Sequence, residues 1–152
     1  MQKQSIATAL LLAAIASSAL AASALAASAA DIGRIKITSG IAAIERSGTP
    51  IAAVAGLTLQ KGDILTTGKN GRIGVTFNDN SRFAAGPNSR VAITDFSFDD
   101  TTHEGKFMTS VDRGTLAIIS GQIAKSNKDA MRVRTPTALL GVRGTRFVVE
   151  VN

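Results

Sequence analysis

Three stretches of this chain hold residue types that could do chemistry. "GVRG", Gly141–Gly144, has the Gly-x-x-Gly spacing that grips a nucleotide backbone when it joins two helices. "DDTTHEG", Asp99–Gly105, places the single histidine, His103, beside Glu104 and near Asp95, Asp99 and Asp100. Oxygen ligands with one imidazole suit several divalent ions, and calcium fits an oxygen-rich exported loop. "KSNKDAMRVRT", Lys125–Thr135, is the densest part of a basic end. From Lys106 to Asn152 there are eight Lys/Arg against three Asp/Glu. Such charge attracts anionic lipid, lipopolysaccharide or an acidic protein, and it also lines ordinary solvated strand faces.

Each reactive reading meets an obstacle in its surroundings. Strand-like runs flank GVRG, so a nucleic-acid clamp is not expected. A dinucleotide fingerprint needs a third glycine where Phe147 stands, and no Gly-Lys-Ser/Thr follows for a P-loop. His103 lies in no H-E-x-x-H or EF-hand spacing, and no G-x-S-x-G elbow accompanies the many serines. Trp and Tyr are absent, so aromatic sugar platforms are missing too. No cysteine is present, which excludes disulfides, thiolate metal sites and a cysteine nucleophile. The expectation is no enzyme, no cofactor and no metal site. GVRG is then a turn: Gly141 and Gly144 permit angles or approaches that a Cβ hinders, Thr145 bonds locally, and Arg143 reaches a carboxylate.

The first thirty residues differ from the rest. Lys3 is the only charge before Asp31, and the apolar "IATALLLAAIA" runs from Ile6 to Ala16. A tail of Ala and Ser follows, with small residues three apart. This is the plan of a secretory signal peptide, with cleavage at Ala26, Ala29 or Ala30. The rival is a retained membrane helix. Against it, Leu and Ile concentrate in the first half, and a span needs ~20 strongly apolar residues. Residues 31–152 would form the mature domain with net charge +5.

Short β-prone runs separated by turn residues fill the mature chain. "GRIKIT" puts Ile35 and Ile37 on one face. "GRIGVTF" aligns Ile73, Val75 and Phe77, and "TRFVVEV" aligns Phe147, Val149 and Val151. Period two marks half-buried strands. "TFNDNSRF" reads as a hairpin with Asp79 and Asn80 both tolerant of positive φ. In "RVAITDFSFDD" the phase slips between Ile93 and Phe96, which predicts a bulge or corner near Asp95. Ser120–Met131 is a polar loop with at most one helical turn. The fold class is all-β: one twisted sandwich or roll with solenoid-like strand stacking, preceded by a helical signal peptide.

"RVRTPTALLGVRGTRFVVEV" resembles the closing signature of the FecR domain family. Thr135, Pro136, Gly141, Val142, Arg143, Gly144, Thr145 and Phe147 fall on it, with Val133 and Val149. "GDILTTGKNGRIGVTFNDNSRFAAGPNSRVAI" resembles the family's opening and "DRGTLAIISG" its middle strand. The likeness covers about Gly62 to Val151. It implies an all-β periplasmic module. In the regulators, that module relays an iron-siderophore signal from an outer-membrane transporter to a sigma factor. Only five residues precede the hydrophobic stretch here, so the anti-sigma role is not carried over.

The sequence therefore predicts a free periplasmic binding module of a Gram-negative-type envelope. Its partner would be an envelope protein or other envelope component, with no nucleic acid and no membrane span after cleavage. Arg132, Arg134 and Arg143 are the candidate partner-binding residues, and the motif residues are expected to be structural. A signalling accessory and a self-assembling envelope protein are the alternatives.

Overall fold

The structure is a computed structural model that describes residues 28–152. Most of the expected signal peptide, including Ala26, lies outside the described residues. Ala29 and Ala30 are exposed and irregular.

Twelve strands and one short helix follow. They are β1 (Asp31–Ser39), β2 (Ala42–Arg46), β3 (Thr49–Ala52), β4 (Thr58–Gln60), β5 (Ile64–Thr67) and β6 (Arg72–Phe77). Then come β7 (Arg82–Ala85), β8 (Arg90–Phe98), β9 (Gly105–Ile119), α1 (Gln122–Ser126), β10 (Met131–Arg134), β11 (Leu139–Gly141) and β12 (Arg146–Val151). All strands join one sheet, which curls into a half-barrel. Every pairing is antiparallel except β9 with β10.

β9 organises the sheet because it belongs to two wings. Its first part, up to Arg113, pairs with β8 and β10. Its last part, from Gly114, pairs with β7 and β12. One wing therefore runs β3-β2-β5-β8-β9-β10-β11. The other runs β4-β1-β6-β7-β9-β12.

Four of the chain's crossings between the wings lie along one seam. They are at Gly40–Ile41, at Gly68–Gly71, at Gly86–Ser89 and at Gly114. Backbone bonds tie these crossings together: Gly68 N–H to Ile41 O, Asn88 N–H to Gly68 O, and Gly86 N–H to Thr115 O. Two buried hydroxyls complete the seam. Thr67 Oγ1 donates to Gly86 O at 2.6 Å and accepts from Ser89 N at 2.8 Å. Ser89 Oγ donates to Thr115 O at 3.2 Å and accepts from Thr115 N at 3.0 Å. Buried backbone groups at a sheet corner need such partners, because leaving one unpaired costs about 1–3 kcal/mol.

The core lies between the wings. Phe77 and Phe83 of one wing meet Phe96 and Phe107 of the other, with ring centroids 4.7–5.8 Å apart. Each buried ring contributes roughly 1.5–3 kcal/mol of transfer free energy, and edge-on pairs add to that. Ile123 and Ala124 of α1 are buried as well, so the polar excursion contributes one helical turn to the core.

Strand phases follow the sequence with two departures. Ile73, Val75 and Phe77 are buried together, and so are Val91 and Ile93. The expected slip is a bulge at Thr94, between Ile93 and Asp95, which turns Phe96 inward. The first departure is in β1. Its register shifts between Ile35 and Ile37, at Lys36, so Ile35 is fully buried while Ile37 is 69% exposed. Plain alternation had put them on one face. The second is the β6–β7 hairpin. Asn80 alone takes a positive φ, of 66°. Asp79 does not, and it is buried, because its carboxylate accepts from Ser81 N at 3.0 Å and Ser81 Oγ at 2.7 Å.

Gly114 bends β9 with φ +90°, and a Cβ there would sit 2.2 Å from Ser89 Oγ. Gly114→Ala is expected to cost at least about 2 kcal/mol in urea unfolding, from strain plus the clash. Gly48→Ala, at φ +79° with open space around it, carries the strain alone and should cost less. Equal costs at the two positions would remove the seam's special claim on Gly114.

Candidate functional site

The residues singled out at the C-terminal end lie where the chain passes from one wing to the other. β10 and β11 close the edge of one wing, and β12 closes the edge of the other. Thr135 starts the reversal between β10 and β11: its N–H donates to Ala138 O at 2.8 Å, and its Oγ1 accepts from Ala138 N at 3.0 Å. Pro136 is exposed at the tip. Val142 is buried and its N–H donates to Met131 O at 3.0 Å. Gly144 has φ +50°, with Lys125 Cγ the nearest atom to a built Cβ at 3.6 Å. Gly141 has no positive φ, and nothing lies within 4 Å of its built Cβ. Thr145 O accepts from both Ser120 N and Ser120 Oγ at 3.0 Å, which pins the start of β12 to the end of β9. Phe147 is half-buried against the core.

Arg132 and Arg134 share the outward face of β10, since Met131 and Val133 point into the core. Arg143 lies in the exposed link, two residues past Gly141, the register partner of Arg132. None of the three forms an ion pair among the described residues. Arg134 lines a hollow of about 300 Å³ on that face, together with Thr94, Asp95, Lys106, Met108 and Ser110. Asp95 there bridges Lys61 at 2.9 Å and Lys106 at 3.1 Å. Hydrogen bonds from Lys61, then Lys106, hold its carboxyl below the usual aspartate value.

His103 sits in an exposed loop with φ 61°, its ring stacked on Phe98 at 6.2 Å. The neighbouring Asp99 carboxylate accepts from the amides of Thr102 and Thr101, which hold its pKa down. Among the described residues no group of three or more His, Asp or Glu side chains gathers to hold a metal ion.

The framework roles of two buried carboxylates, Asp63 and Asp79, escaped the sequence reading. Asp63 takes Arg46 Nε at 2.9 Å and Arg46 Nη2 at 2.7 Å, and accepts from Gln60 N at 2.9 Å. It thereby ties β2 to the turn between β4 and β5. Asp79 Oδ2 accepts from Ile123 N at 3.4 Å, Asp79 O accepts from Gln122 N, and Ser81 Oγ accepts from Gly121 N. The hairpin thus holds the start of α1. Only the aspartate in a turn-rich string was visible in each case; the partner lies 17 and 44 residues away in sequence.

A curled all-β domain closed by a Gly-x-x-Gly-Thr link is the class of protein these features define. The FecR protein family model matches residues 63–152, and the chain belongs to that family, which is tied to cell-envelope signalling. No curated protein and no solved structure matches the chain. No helix among the described residues is long and apolar enough to cross a membrane.

Gly144→Val is expected to cost about 1–3 kcal/mol, because a β-branched residue resists positive φ. Gly141→Ala should stay within about 0.5 kcal/mol. Thermal unfolding of both variants checks the contrast, and an unchanged midpoint for Gly144→Val would refute it. A second test is pH. An aspartate held below its unfolded value binds fewer protons when folded, so its contribution is complete above the ordinary carboxylate range. It is lost as pH falls through the lower folded value. Wild type should therefore exceed Asp95→Asn in urea midpoint at neutral pH, and the difference should shrink as pH falls below the ordinary carboxylate range. A constant difference across that range would show that Asp95 acts through packing instead.

Proposed function

We propose that this chain is a non-catalytic, exported FecR-domain module that binds a protein of the periplasm or cell envelope by strand addition at β12. The observation that carries the reading is the character of the sheet's free edges. β3 contains Pro50, which removes a donor, and β4 and β11 have three residues each. Such edges resist pairing. β12 is different. It has six residues, no proline and an unbroken register with β9 from Arg146 to Val151. Among the described residues no strand pairs with its outer side. A partner strand there gains backbone hydrogen bonds without special side-chain chemistry.

Export is supported by the leader-like composition of residues 1–30. The non-catalytic reading is supported by the fate of the reactive residues. His103 is stacked in a surface loop, and Asp63, Asp79 and Asp99 are committed to framework hydrogen bonds. Arg132, Arg134 and Arg143 stand outward near the same end and would steer an acidic partner. Envelope signalling, the family's association, is the context in which we place that partner. The motif residues Thr135 to Phe147 serve in this reading to hold the β12 edge.

The test uses a photoreactive side chain at Thr145, immediately before β12, in the full chain expressed in its own cells. Position Thr49, at the start of proline-bearing β3, is the comparison. Discrete protein adducts from Thr145 and none from Thr49 are expected, in periplasmic extract. The mature mass should lack the first 26–30 residues. Equal labelling at both positions, or none at either, would remove the edge as the binding element.

A further inference from the structure

A second surface is not accounted for by strand addition: the outward face of the wing that contains β1, β6, β7, β9 and β12. One row of register partners crosses it. Ile37 pairs with Gly74, Gly74 with Ala84, Ala84 with Ala117, and Ala117 with Val148. The middle three positions are glycine or alanine, and the two ends are large and exposed, 69% for Ile37 and 63% for Val148. The row is therefore a low floor between two apolar walls. Hollows of about 570 Å³ and about 410 Å³ open on either side of it along the strands, and all five row residues line both.

The β1 bulge builds this surface. Without the shift at Lys36, Ile37 would face the core and the trough would lose a wall. Ile119 adds a further exposed apolar side chain on the floor. Large exposed aliphatic residues gathered on one face mark an interaction site more often than scattered ones do.

Charge and width identify the occupant. Lys36, Arg82 and Arg146 line one hollow and Arg72 the other, all exposed, and no acidic residue lines either. None of these four is in an ion pair among the described residues. A second copy of the chain would bring the same cations against them, and like charges at an interface oppose docking. Four strand spacings of about 4.8 Å put the two walls about 19 Å apart at the backbone. An α-helix with side chains is about 10–12 Å across, which fits between wall side chains that reach inward. The small floor lets such a helix approach closely. The trough is open along its length, whereas sites for small apolar ligands enclose most of the ligand.

We infer that this trough docks an amphipathic helix of a partner protein, apolar along one face and acidic along its flanks. The inference rests on the reading of the chain as a binding module, but not on strand addition. Binding would use the walls Ile37 and Val148 for apolar contact and the four cations for orientation and register.

The experiment places a diazirine side chain at Val148 in the full chain in its own cells and sequences the crosslinked peptide. An adduct with a protein segment that reads as an acidic amphipathic helix is expected. Its yield should fall about tenfold in the Arg82→Glu, Arg146→Glu double variant, which sets like charges against the acidic flanks. Ala84→Arg, which raises the floor, should abolish it while the melting temperature shows the variant folded. Adducts with lipid, with another copy of this chain or with a non-acidic segment would overturn the inference, and so would no adduct at all. The Thr145 probe, read in the same cells, separates the two failures. A Thr145 adduct without one at Val148 sinks the trough alone, and silence at both positions sinks the binding module with it.

Discussion

Everything in this fold depends on β9 being shared. One strand of fifteen residues supplies pairing partners to both wings, and the bend at Gly114 turns it from one to the other. The hydroxyls of Thr67 and Ser89 fix that bend by bonding across three crossings at once. A sheet that turns a corner loses ladder bonds there, and these two side chains replace them. The four-phenylalanine cluster then forms because the bend brings the faces of both wings together.

Two buried carboxylates help to hold the fold. Asp63 and Asp79 are buried with their oxygens taken by Arg46, Ser81 and backbone amides. A buried carboxylate is tolerable only when its charge is met in this way. Two other surfaces are left open among the described residues: the backbone edge of β12 and a basic-rimmed apolar face. Both surfaces meet at β12, whose Val148 walls the trough and whose outer side is unpaired.

Much of this was legible in the sequence because period-two patterning reports directly on which face is buried. Ile73, Val75 and Phe77 lie inside as their spacing requires, and the phase change before Phe96 is a bulge. The family resemblance was legible at Thr135–Phe147, and the family match begins at Asp63. The bulge at Lys36 was not legible. "GRIKITS" alternates cleanly, and nothing local marks an extra residue; only pairing with β6 creates it. The trough stayed hidden for the same reason, since Ala84 and Ala117 look like strand filler until register aligns them. The hold of Asp79 on α1 was not legible either, because Ile123 lies 44 residues along the chain.

The shared strand also has a consequence in time. β1, β6 and β7 cannot complete their wing, nor β5 and β8 theirs, before residues 105–119 exist to pair with them. Pairing between distant segments is slow, because the loop between them must close before any contact rewards it. For most of its synthesis this chain therefore has no stable half to fall back on. Unpaired strands in that interval invite aggregation. The same delay makes closure of both wings wait on the last third of the chain.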